Sequence, residues 1–120
     1  MKINIKFSDT DHDDVLRAYA EEKIDSFAKL ISEDDIDDAV CNVEFRHSTH
    51  HQSGDVCTAE VTLEAGGKIY RSTKDEPRFE KAIDKVKDDI LQALRVDKQK
   101  SKHKFMKGAA KIKELLRGRE

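Results

Sequence analysis

The sequence predicts an α+β fold, a four-stranded sheet in the order β-α-β-β-β-α with two helices packed on one face. Three observations predict it. Segments 15–31 and 78–95 repeat apolar residues at helical spacing, and four other segments alternate polar with apolar residues. The last three alternating segments are joined by short polar or glycine-containing stretches that suit hairpins. A helix with one apolar stripe must be covered, and an open sheet with one apolar face covers two such helices.

Lys2-Ile3-Asn4-Ile5-Lys6-Phe7 opens the chain as a strand with Ile3, Ile5 and Phe7 on one face. Residues 8–14 then offer several N-cap candidates and first-turn acids. From Val15 to about Ile31, the residues Leu16, Ala20, Ile24, Phe27 and Ile31 form one stripe, with Lys23 and Lys29 away from its middle. Ser32 to Asp38 reads as a solvated acidic connector, because it lacks the glycine and the closing glutamate of a calcium loop.

Ala39 to His47 alternates again, placing Cys41, Val43 and Phe45 on one face. Ser48 to Asp55 is a polar turn, and Val56 to Glu64 returns with Cys57, Ala59, Val61 and Leu63 inward. Ala65-Gly66-Gly67 signals a tight turn into a short last strand, Lys68 to Thr73. The second helix carries Phe79, Ile83, Val86, Ile90 and Leu94 on one stripe. Asp75, Glu76 and Pro77 suit its N-terminus, since carboxylates complement the helix dipole there and proline is tolerated in the first turn. The stripe stops near Arg95, which divides the chain into a domain, 1–97, and a basic tail, 98–120, helical or disordered. In that tail Phe105, Ala109, Ile112 and Leu116 share one side of a helix, while Gly108 and Gly118 weaken it.

Charge is divided along the chain. Residues 1–67 hold 6 Lys and Arg against 16 Asp and Glu, a net of −10; residues 68–120 hold 17 against 9, a net of +8. A polyanion is the natural partner for the basic half, and the acidic half restrains indiscriminate binding. The candidate RNA-binding residues are Lys23, Lys29, Arg78, Lys81, Lys85, Arg95, Lys98, Lys100, Lys102 and Lys104, which neutralise phosphates and release counterions.

Other chemistry is weakly signalled. His47, His50 and His51 cluster, but a zinc site would need further ligands from Cys41, Cys57 or Asp55, which face differently, so an exposed turn is the simpler reading. Cys41 and Cys57 read as buried free thiols. There is no nucleophile elbow and no phosphate-cradling loop, so catalysis is not expected. No apolar run is long enough to span a membrane and no signal sequence opens the chain, which points to the cytoplasm. The basic amphipathic tail leaves an alternative, an interaction module for another RNA, a protein or a membrane surface.

The element order, the hairpin Gly66-Gly67-Lys68-Ile69-Tyr70-Arg71, the Ala82-Ile83-Asp84 of the second helix and the basic run Arg95 to Lys104 resemble the bacterial ribosome hibernation promoting factors and ribosome-associated translation inhibitors, once called sigma-factor modulation proteins. The resemblance covers residues 1 to about 100. It implies a fold like a double-stranded RNA-binding domain and the compact form without a separate dimerisation domain. It further implies binding to the small ribosomal subunit and its ribosomal RNA near the messenger and transfer RNA channel. Translation is thereby inhibited in stationary phase or stress. No cofactor, metal, small-molecule substrate or membrane is implied, and the free protein is expected to be a monomer. Lys23, Lys29 and Lys100 stand where the family carries basic residues, whereas Ser26, Asp89, Gln92 and Val96 stand where it usually has Lys or Arg, and Glu80 replaces a usual aromatic.

Overall fold

The computed structural model describes residues 1–50 and 54–117, with His50 and residues 101–117 described by their backbone alone. The elements are β1 (Lys2–Ser8), α1 (Asp14–Asp25), a 3-10 turn (Ser26–Leu30), α2 (Glu33–Ile36), β2 (Val40–His50), β3 (Gly54–Ala65), β4 (Lys68–Glu76) and α3 (Phe79–Arg117). The sheet order is β1-β2-β3-β4. β1 runs parallel to β2, so α1 and the segments after it form the crossover that a parallel pair requires. β2, β3 and β4 are antiparallel neighbours.

The register explains which residues are buried. Ile3, Cys41, Leu63 and Tyr70 form one transverse row, Ile5, Val43, Val61 and Ser72 the next, and Phe7, Phe45, Ala59 and Lys74 the third. These rows face α1 and α3, whose Leu16, Ala20, Ile24, Ile83, Val86, Ile90 and Leu94 complete the core. Phe45 stacks on Phe7 at 5.6 Å between centroids and meets the edge of Phe79 at 5.3 Å. That contact fixes the start of α3 over the sheet.

Several boundaries differ from the sequence expectation. α1 ends at Asp25 rather than Ile31: the Ser26 hydroxyl donates to the Lys23 carbonyl at 2.6 Å, and the chain tightens into a 3-10 turn that buries Phe27 completely. Within the acidic connector, Glu33–Ile36 forms one α-turn, because its carboxylates occupy the dipole-favoured first turn. β2 and β3 extend into the expected polar turn, pairing Ser48 with Val56 and Thr49 with Asp55. Asp75 and Glu76 do not cap α3. They end β4, where Asp75 accepts from the Thr58 hydroxyl at 2.5 Å, and α3 begins only at Phe79.

Gly66 and Gly67 both have positive φ, +58° and +75°, as a tight β-hairpin of the primed type requires. Gly66 has a second constraint, since a Cβ there would lie 2.6 Å from Asp35 Oδ2. Finally, α3 is one helix through Arg117, and the molecule extends 75 Å along its longest axis against 31 and 18 Å across.

Candidate nucleic-acid interface

The basic residues expected to bind a polyanion lie on two sides of α3. On the β4 side, Lys85 bonds to Glu76 and Lys81 lies 3.8 Å from the same carboxylate. The Lys85 ammonium, with Lys81 behind it, holds the Glu76 carboxyl below the usual carboxylate range. Further along, Lys74 and the Ser72 hydroxyl reach Asp89 at 3.4 and 2.8 Å. These cations stitch the edge strand to the helix. Arg78 is exposed just before the first turn.

The other side of α3 faces α1 and the 3-10 turn. Asp84 anchors it, accepting from the Tyr19 hydroxyl at 2.9 Å and pairing with Lys23 Nζ at 3.6 Å. Lys23 also lies over the Tyr19 ring, 5.0 Å from its centroid. From Asp84, steps of three, four, four and three residues lead to Lys87, Leu91, Arg95 and Lys98 on the same side. Lys102 follows one turn later in the helix. Lys29, on the 3-10 turn, is exposed. Among the described residues, Lys29, Arg95, Lys98 and Lys100 form no ion pair. They can therefore meet phosphate without first breaking an internal contact.

Ten residues were expected at this interface. Lys23, Lys29, Arg95 and Lys98 gather along the seam between α1, the 3-10 turn and α3. Lys100 is exposed on the helix beyond it, and Arg78, Lys81 and Lys85 lie at the β4 edge. Lys102 and Lys104 sit in the helical extension, and their side chains lie outside the described set. Lys87 was missed. It lies one turn from Asp84 on the seam side and reaches Asp88 at 3.2 Å; its three-residue offset from Asp84 was the available signal.

The opposite, outer face of the sheet is polar and internally paired. Glu44 and Glu60 are cross-strand neighbours, and Arg46 joins them at 2.5 and 3.8 Å. Lys6 adds a contact to Glu44 at 3.7 Å and Arg71 one to Glu60 at 2.7 Å. This mixed-charge ladder offers no cationic track.

Cys41 lies opposite Leu63, and Cys57 opposite His47 and Glu76, so the two cysteines are several rows apart and both are free and buried. Burial pushes the Cys41 thiol up to about 12 and also raises that of Cys57, which keeps both protonated at neutral pH. His47 Nε2 pairs with Asp55 at 3.2 Å on the hairpin, while His51 and the side chain of His50 lie outside the described set. Among the described residues no cluster has the composition of a metal site. None of their helices is long and apolar enough to cross a membrane.

A family model described as sigma 54 modulation protein / S30EA ribosomal protein matches residues 3–103. Among solved structures, the N-terminal domain of Protein Y from Thermus thermophilus superposes with a TM-score of 0.64 at 18% identity, covering 78% of this chain and 96% of that one. A ribosomal subunit interface protein from Coxiella burnetii superposes with a TM-score of 0.62 at 15% identity, covering 82% and 99% respectively. At those identities the two structures establish a shared fold. A search of curated protein sequences returned no significant match.

Proposed function

The chain belongs to the sigma 54 modulation protein / S30EA ribosomal protein family, and from that premise we propose that it is a ribosome-binding factor that occupies the small subunit near the messenger and transfer RNA channel and inhibits translation in stationary phase or stress. The names of the two structural neighbours, one of them a ribosomal subunit interface protein, support the reading. The observation that carries it is the open cationic seam of Lys29, Arg95 and Lys98.

The mechanism is occupancy, not catalysis. The core fixes α1 and α3 side by side, so Lys29 and the α3 cations hold a set spacing before RNA arrives. Binding then has to order their side chains but not the elements that carry them. Structured ribosomal RNA presents phosphates at spacings determined by its shape, and backbone contacts of this kind read that shape rather than sequence. Net −10 over residues 1–67 opposes indiscriminate binding to phosphate. Lys102 and Lys104 follow in the same helix. Lys81 and Lys85 contribute less, since both lie against the Glu76 carboxylate.

Competition tests the site. Small subunits preloaded with messenger and initiator transfer RNA should bind the protein much more weakly than vacant subunits, and the protein should inhibit a reconstituted translation reaction only when added before initiation. Equal binding to loaded and vacant subunits would place the protein elsewhere on the ribosome.

A further inference from the structure

We propose that the groove between α2, the Gly66-Gly67 hairpin and α3 docks a basic segment of a partner protein, one that carries an aliphatic residue among lysines or arginines. Two adjoining hollows make the groove. The first, about 340 Å³, has an apolar lining that includes Leu30, Ile31, Tyr70 and Leu94. The second, about 450 Å³, is lined by Asp35, Asp38 and Glu64 and by Ile69, which is 67% exposed. Asp35, Gly66 and Lys68 belong to both linings. Gly66 keeps the hairpin close to α2 there, since a Cβ at that position would lie 2.6 Å from Asp35 Oδ2.

The acidic hollow lacks internal cations. Glu33, Asp34, Asp37, Asp38 and Glu64 are exposed, and among the described residues neither they nor Asp35 forms an ion pair. Lys68, which lines both hollows, lies 3.4 Å from Asp97 instead. The outer face of the sheet differs, because Lys6, Arg46 and Arg71 pair with Glu44 and Glu60 there. Residues 32–38 read in sequence as a solvated connector, and only the fold sets them beside Glu64 and an apolar hollow.

The two hollows together select the occupant. A nucleic acid would bring its phosphates against these carboxylates and be repelled. A small cation would leave Leu30, Ile31 and Leu94 unused. A basic peptide uses both hollows: its aliphatic side chain fills the apolar one, and its ammonium or guanidinium groups meet the carboxylates. Lys98 lines only the apolar hollow and repels a cation placed there, which directs the basic residues toward α2. The chain's own extension is not the occupant, because α3 is one continuous helix to Arg117 and does not fold back on the groove beside its own Leu94.

Titration of the full chain with a short synthetic peptide, a central leucine flanked by lysines and arginines, tests the docking by amide NMR. The Gly66, Gly67 and Ile69 resonances should shift saturably, and binding should weaken as salt is raised. A peptide with serine in place of the leucine should bind about tenfold more weakly or worse, a comparison that leaves the protein unchanged. Asp38→Asn combined with Glu64→Gln, both at exposed positions, should weaken the leucine peptide to a similar extent. Absence of saturable shifts would overturn the proposal, as would equal binding of the serine peptide, shifts confined to residues outside the groove, or the same shifts with a short single-stranded RNA. Self-association of the protein that blocks the groove would overturn it too. No ribosome enters the experiment, so its failure leaves the RNA reading in place.

Discussion

The Tyr70 hydroxyl donates to Asp97 Oδ2 at 2.6 Å and joins β4 to α3 at the last half-buried position described on the helix. Burial, followed by the bonded Asp97 carboxylate, pushes the Tyr70 phenol up to about 12. Tyr19 is also raised, first by its hydrogen bond to Asp84 and then by burial. Both tyrosines of the chain are therefore tied to carboxylates of α3. Ultraviolet titration of the native protein should show neither phenol ionising at its ordinary value, and the denatured chain should show both near 10.

The same shift makes a statement about stability. The folded protein holds the Tyr70 proton more tightly than the unfolded chain, so this contribution is complete below about pH 10 and is lost as pH rises toward about 12. Tyr70→Phe should flatten the fall in stability over that window. Urea midpoints measured across the alkaline range provide the check.

At the acid end, Asp97 is held below the usual carboxylate range by the Tyr70 hydroxyl, with Lys68 and Lys100 assisting, and Glu76 is held low chiefly by Lys85. Their folded values lie below the unfolded ones. Their stabilisation is thus present above the ordinary carboxylate values and disappears as pH falls through the depressed ones. Lys85→Met should move the Glu76 carboxyl resonance back toward its ordinary titration while leaving that of Asp97 in place.

Core and surface apolar residues should separate cleanly. Phe27 is fully buried, and Phe27→Ala should cost about 3–5 kcal/mol through lost burial and a residual cavity. Val15 is 81% exposed, and Val15→Ser should change stability by no more than about 0.5 kcal/mol. Denaturant unfolding at neutral pH measures both.

Gly66 and Gly67 should respond unequally to alanine. Each has positive φ, which costs a side-chain residue roughly 1–2 kcal/mol. Only at Gly66 does the new Cβ also collide with Asp35. Gly66→Ala should be the more damaging change, and adding Asp35→Ala should reduce the difference from Gly67→Ala.

The apolar periodicities made the sheet faces and both core-facing helical stripes legible, down to Phe45, Val61, Ile83 and Ile90 as core residues. The ends of elements were less legible because tertiary partners determine them. Asp75 and Glu76 have the composition of a helix start, yet Thr58 and Lys85 hold them in β4. Phe27 keeps the helical stripe, yet Ser26 tightens the backbone beneath it. In the candidate interface, the sequence identifies cations without identifying their partners. Lys85 and Lys98 look alike in the chain, and only the fold places Glu76 against one and leaves the other open.

Co-sedimentation with isolated small subunits at low and high salt tests the central claim most directly, comparing the native protein with a variant in which Lys29, Arg95, Lys98 and Lys100 are each replaced by Glu. The native protein should comigrate saturably and dissociate as salt rises, because each phosphate contact releases counterions. The variant, with an unchanged circular dichroism spectrum, should remain at the top of the gradient at both salts. Native protein that stays free at low salt, or a folded variant that comigrates as well as the native protein, would contradict the account.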